Sequence, residues 1–199
     1  MSASPARRQV WFLETSALVT LSVHLPLRHA IVAALSPHYR VLVKAVVTEL
    51  EELTMTSDIT ATWAGKALGQ LDWLGKAVPL DDPAGVELAV QLQAEIAGGR
   101  PLRHPMEHFG EAAVIALASR AKTVRPLMLC DDYNARVAAK SRQVEPLSVH
   151  KLMHLMITQG KITAAETATF AAALRDAGRH QDYTAQELAS GRLGRVGQP

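Results

Sequence analysis

The stretch PLMLC at positions 126–130 runs straight into Asp131 and Asp132 and then into YNARVAA at 133–139. Five apolar residues closed off by acids read as a strand buried on both faces, with the next helix opening at the paired aspartates. Working back from it, GEAAVIALASR at 110–120 reads as a helix that is strongly apolar on one side. Before that, Asp81-Asp82-Pro83 opens a helix, with the proline in its first turn, that stops at Gly98-Gly99. QVWFLE at 9–14 reads as the first strand, with Thr15 and Ser16 supplying capping hydroxyls for a helix from near Ala17. Pro26 and Pro37 punctuate a short helix over Arg28 to Leu35. RVLV at 40–43 reads as a second strand, leading into a helix that carries VVTELEEL at 46–53. A helical pattern covers Thr60 to Leu74, and AVPL at 77–80 reads as a weak strand, with Pro79 suited to an edge.

Downstream, Val144 to Pro146 reads as a last short strand, followed only by helical pattern at Val149 to Gln159 and Ala164 to Ala177. The tail from about Gln186 is expected to fray. Short strands alternating with longer helices predict an α/β fold with a central, mainly parallel sheet. We read one α/β core over residues 9–148 and a helical C-terminal extension over 149–199 packed on it.

Bulk composition narrows the function classes. A net charge of +2 over 199 residues gives no global basic field, so any polyanion must be gripped by a local patch. Arg100, Arg103, Arg120, Lys122 and Arg125 bracket the Glu111 helix and are the candidate patch, or else an ordinary wet surface. The lone Cys130 excludes an intrachain disulfide and fits a reducing compartment. No apolar run approaches the roughly 20 residues that span a bilayer. The expectation is a soluble, cytoplasmic chain with no membrane partner.

Position makes the acids informative. Glu14 and Asp131 sit at the carboxyl ends of strands, where open parallel sheets bind ligands near a topological switch point. Glu111 lies in the first turn of the helix before PLMLC, and Glu49 in the helix after RVLV. Clustered carboxylates repel one another until a proton or a cation intervenes, and oxygen-only ligand sets suit Mg²⁺ or Mn²⁺. Each acid also has an ordinary use as a helix cap or dipole partner.

The blocks FLETSALVTL, VVTELEEL, HFGEAAVIALA and LCDDYNARVAA, in that order, resemble the PIN-domain family of metal-dependent ribonucleases. Many members are VapC-type toxins of toxin–antitoxin pairs, and the GEA and DD motifs mark a subset. The resemblance spans about residues 9 to 148. It implies a PIN-like, Rossmann-like three-layer α/β/α sandwich. It also implies Glu14, Glu49, Glu111 and Asp131 as catalytic and metal-holding acids, with Asp132 as a fifth ligand or a cap. On this reading the chain is an endoribonuclease that hydrolyses RNA with a metal-activated water. A homodimer and a small antitoxin partner are further implications. Glu14 stands where aspartate is usual, and its extra methylene moves the carboxylate by on the order of 1 Å. The alternative is therefore a weak or inactive PIN-like module that binds RNA or a protein.

Supporting residues each carry two readings. Ser16 contacts a metal-bound water or substrate phosphate, or simply caps a helix. Arg136 contacts RNA phosphate or orients Asp132 through an ion pair. His104 and His108 assist proton transfer or sit solvated on a loop. Glu51 and Glu52 form a solvated face, with Glu52 sharing the side of Glu49. Cys130, Trp11, Phe12, Trp63 and Trp73 read as core or interface.

Overall fold

The computed structural model describes residues 9–179; the tail expected to fray from Gln186 lies outside them. Four strands, β1 (Gln9–Leu13), β2 (Tyr39–Leu42), β3 (Arg125–Leu129) and β4 (Glu145–Leu147), form one all-parallel sheet in the order β2-β1-β3-β4. The chain moves outward from β1 to β2, then returns past β1 to β3 and β4. That reversal places a topological switch point between β1 and β3. Parallel crossovers are right-handed as a rule, and their running in both directions from β1 is compatible with a three-layer arrangement with helices on both faces.

The strands end level with one another. Leu13 pairs with Leu42 on one side and Leu129 on the other, and Leu129 pairs with Leu147. The next residue of each strand therefore lies along a single edge. The Glu14 amide donates to the Leu129 carbonyl at 3.3 Å and the Cys130 amide to Leu147 at 2.8 Å, which fixes that edge.

The helices are α1 (Thr15–Val23), α2 (Leu25–Leu35), α3 (Lys44–Leu53), α4 (Ile59–Leu68), α5 (Pro83–Ile96), α6 (Phe109–Ser119), α7 (Tyr133–Ser141), α8 (Val149–Thr158) and α9 (Ala164–Asp176). α6 is apolar nearly all round and is buried accordingly, with Gly110 through Ala116 buried and α5, α3 and β3 packed against it.

Several boundaries differ from the sequence reading for identifiable reasons. α2 starts at Leu25, because Pro26 sits in the first turn, where its missing N–H costs nothing, and the His24 ring accepts the Leu27 amide at 3.3 Å. The helical pattern over Thr60 to Leu74 breaks after Leu68, leaving a single 3-10 turn at Asp72–Leu74. AVPL forms no strand. Only a bridge between Val43 and Val78 is made, since α3 begins at Lys44 and leaves no extended backbone beyond Val43 to pair with.

α8 and α9 share the core of the sheet. Val149, Leu152, Met153, Met156, Phe170, Ala171 and Leu174 are buried in the same cluster as Leu13 and Leu129. A chain ending at residue 148 therefore exposes core and should unfold or aggregate rather than isolate a nuclease core. Circular dichroism with urea titration checks this; a cooperative transition at the full-length midpoint would refute it. Among the described residues no helix is long and apolar enough to cross a membrane.

Candidate functional site

Glu14 follows β1 directly and is fully buried. Its carboxylate curls back as the N-cap of α1, accepting the amides of Ser16 at 2.7 Å and Ala17 at 2.8 Å. Ser16 Oγ donates to it at 2.5 Å. The capping role assigned from sequence to Thr15 and Ser16 thus belongs to Glu14, whose longer arm reaches its own helix terminus, and α1 begins at Thr15. The Asp131 amide adds a bond to Glu14 Oε1 at 3.2 Å, joining the ends of β1 and β3. Burial raises the Glu14 carboxyl from its ordinary 4.5 to about 7, against these hydrogen bonds and with help from the Asp131 charge.

Thr15, displaced from capping, donates to Glu49 Oε2 on α3 at 2.5 Å. The Gly110 amide in the first turn of α6 also donates to Glu49. The approach is so close that a β-carbon on Gly110 would fall on the Glu49 carboxylate and 2.9 Å from Thr15 Oγ1. A side chain at this position of the GEA block would force the Glu49 carboxylate to move. Burial raises Glu49 to about 8, opposed by the Thr15 bond and reinforced by the Glu14 and Glu52 charges.

Glu111, the next residue on α6, is 5% exposed, and its Oε2 has no hydrogen-bond partner among the described residues. Burial, then the charges of Glu49, Glu14 and Asp132, hold its carboxyl well above the usual range. A buried carboxylate oxygen without a donor is stable only when protonated or when facing a cation.

Asp131 and Asp132 are half-buried and divide their work. Asp131 Oδ1 accepts the Val149 amide at the start of α8 at 2.9 Å, and its own amide also donates to Ser16 Oγ at 3.1 Å. Asp132 caps α7 through the Ala135 amide at 2.7 Å. Arg136 is turned to the backbone, donating to the carbonyls of Asp131 at 2.6 Å and Cys130 at 3.2 Å. Cys130 is buried, and burial pushes its thiol up, away from reactivity.

Glu111, Asp131 and Asp132 line a crevice of about 290 Å³ together with Ser16, His150 and Arg179. Glu14 and Glu49 stand behind it. All five sequence-selected acids therefore belong to one mutually repelling group at the switch point. The donor set is oxygen-rich and holds one orphaned oxygen, which fits a hard divalent cation. As placed, no three His, Cys, Asp or Glu side chains among the described residues converge tightly enough to hold one. A bound cation would have to draw them together.

Other candidates lie elsewhere. His104 is exposed, with Nδ1 3.8 Å from Glu52. His108 lies 2.9 Å from Arg100, beside Glu107. The expected basic patch does not assemble at the crevice. Arg100 and Arg103 pair with Glu107, Arg120 pairs with Asp82, and Arg125 lines a separate cavity of about 340 Å³ at the amino ends of the strands. Trp11 and Phe12 are core residues, and Trp63 and Trp73 are half-buried against it. Sequence reasoning missed Thr15, His150 and Arg179. The first was hidden by its ordinary capping chemistry, and the other two have no local signal. No family model, no curated protein and no solved structure matches the chain.

Two predictions follow from the buried acids. Glu14 and Glu49 bind protons more tightly folded, at about 7 and about 8, than at their ordinary 4.5. Raising pH through that window ionises the unfolded chain first, so stability is lost as pH rises. With chelator present, the melting temperature should fall between about pH 5 and pH 8, and Glu49→Gln should flatten the slope; a flat wild-type profile would sink this account. Gly110→Ala should cost about 1–3 kcal/mol in urea unfolding, and shortening the neighbour in a Gly110→Ala, Glu49→Ala double variant should recover part of it. Strict additivity of the two would contradict the contact.

Proposed function

We propose that this chain is a PIN-type, divalent-metal-dependent endoribonuclease. The observation that carries the reading is the Glu111 carboxylate, buried at a switch point among four other acids with one oxygen unpartnered. Glu111, Asp131 and Asp132 would hold Mg²⁺ or Mn²⁺ from the crevice side, with Glu14 and Glu49 adding negative charge from behind. When bound, such an ion acidifies water and offsets charge on a phosphoryl group.

The chain's own contributions are positional. Asp131 is held at both ends, by its amide to Glu14 and by its carboxylate from Val149. Arg136 keeps the loop carrying both aspartates from drifting by binding its carbonyls. Thr15 and Gly110 orient Glu49 from two sides. The four sequence blocks and their order support the same reading.

A second reading has one specific observation in its favour. Glu14 Oε1 already accepts three donors and Oε2 one, so its carboxylate is largely spent on capping α1. A chain whose first acid is spent this way binds RNA or a protein without cutting.

Purified protein incubated with single-stranded and structured RNAs in manganese, magnesium or chelator separates the two. Cleavage should require metal and drop on the order of 100-fold or more in a Glu111→Gln, Asp131→Asn variant, whose asparagine can still accept the Val149 amide. Cutting that survives chelator or the double substitution would overturn the proposal. A silent wild type that gains activity as Glu14→Asp would identify the binding module.

A further inference from the structure

The crevice is built from acids, yet its proposed substrate is a polyanion. Among the described residues that line it, Arg179 is the one permanently cationic group. Its placement is locally engineered. After α9, Gly178 adopts a left-handed φ of 68°, its amide donating to the Arg175 carbonyl at 2.9 Å. The Arg179 amide donates to Leu174 at 3.0 Å, completing a Schellman stop that turns the chain back across α1.

The guanidinium is then anchored on neutral partners. Nε and Nη2 donate to Thr20 Oγ1 at 3.2 and 3.0 Å, and Nη2 donates to the Ser16 carbonyl at 3.0 Å. Although Glu111, Asp131 and Asp132 share its crevice, Arg179 forms no ion pair with any carboxylate among the described residues. Nη1 makes no bond among them either. Its charge and a pair of N–H groups are thus held in place and unspent. A rigid guanidinium with free donors is matched to a phosphate oxygen. Of the neighbouring basic residues, Arg100, Arg103 and Arg120 are already paired with acids, and Arg136 donates to the carbonyls of Cys130 and Asp131.

We propose that Arg179 is the phosphate-gripping residue of the crevice, so that the C-terminal extension completes the RNA-binding site of the core. This rests on the nuclease reading. Arg179 touches a phosphodiester oxygen and holds the strand over Glu111 and Asp131.

Fluorescence anisotropy of a short end-labelled single-stranded RNA, with manganese and in the Glu111→Gln, Asp131→Asn background, tests it without cleavage. Adding Arg179→Gln, which keeps donors for Ser16 and Thr20 but loses the charge, should weaken binding about ten-fold. It should also reduce the salt dependence by about 0.7 in log K per log salt. Arg179→Lys should restore the salt slope but only part of the affinity, and Arg175→Ala on exposed α9 surface should change neither. Unchanged affinity and slope in a natively melting Arg179→Gln protein overturn the inference. Should that variant lose its fold, Thr20→Val loosens the guanidinium without touching its charge; weaker binding then supports the proposal and unchanged binding overturns it. Wild-type cleavage alongside unaltered binding in Arg179→Gln sinks this inference alone. A wild type that neither binds nor cuts RNA sinks the nuclease reading with it.

Discussion

The buried carboxylate of Glu14 ties the junction of β1 and α1 to the end of β3, 117 positions further along the chain. It terminates β1, neutralises the free amides at the start of α1, and receives the Asp131 amide from the end of β3. Asp131 passes the linkage on by accepting the Val149 amide of α8. A single run of hydrogen bonds therefore crosses the carboxyl edge of the sheet from α1 to α8. Burying a carboxylate is costly, and donors on both of its oxygens offset that cost. Because the donors come from different elements, the carboxylate fixes their relative position as well as its own charge.

Everything else at the edge follows from packing more acid behind it than the donors can satisfy. Thr15 and the Gly110 amide engage Glu49, but nothing among the described residues engages Glu111 Oε2. Protonation resolves the excess at low pH and a cation would resolve it at high pH, two solutions that compete for the same oxygens. The fold tolerates the excess because α6, which carries Glu111, is otherwise apolar and packed on all sides.

Much of this was legible in the residues. VWFL and PLMLC declare themselves as strands by unbroken apolar runs ended by acids, and the five acids selected by position do gather at one switch point. Legibility failed where a residue's ordinary chemistry was diverted. Thr15 and Ser16 are good caps by composition, but the longer Glu14 side chain outcompetes them, freeing Thr15 for Glu49. AVPL has strand composition, but its partner strand gives way to α3 at Lys44, so only Val78 is paired. The five bracketing cations looked like a patch because sequence distance says nothing about Glu107 and Asp82, which absorb three of them. Arg179 meets Ser16 and Thr20 across more than 150 positions, a contact no local pattern encodes.

The level ends of the four strands have a consequence for how this chain can vary in length. Leu42, Leu13, Leu129 and Leu147 stand in one row, and side chains along a strand alternate between faces. Inserting one residue in β1 would advance Glu14 by about 3.3 Å and turn it to the opposite face, away from α1. The strands are thus intolerant of insertion and deletion, whatever their composition. Residues 98–105, an exposed part of the connection from α5 to α6, bear on none of these registers. Length drift among descendants of this sequence should accumulate there, while the spacing from β1 to Glu14 and from β3 to Asp131 stays locked.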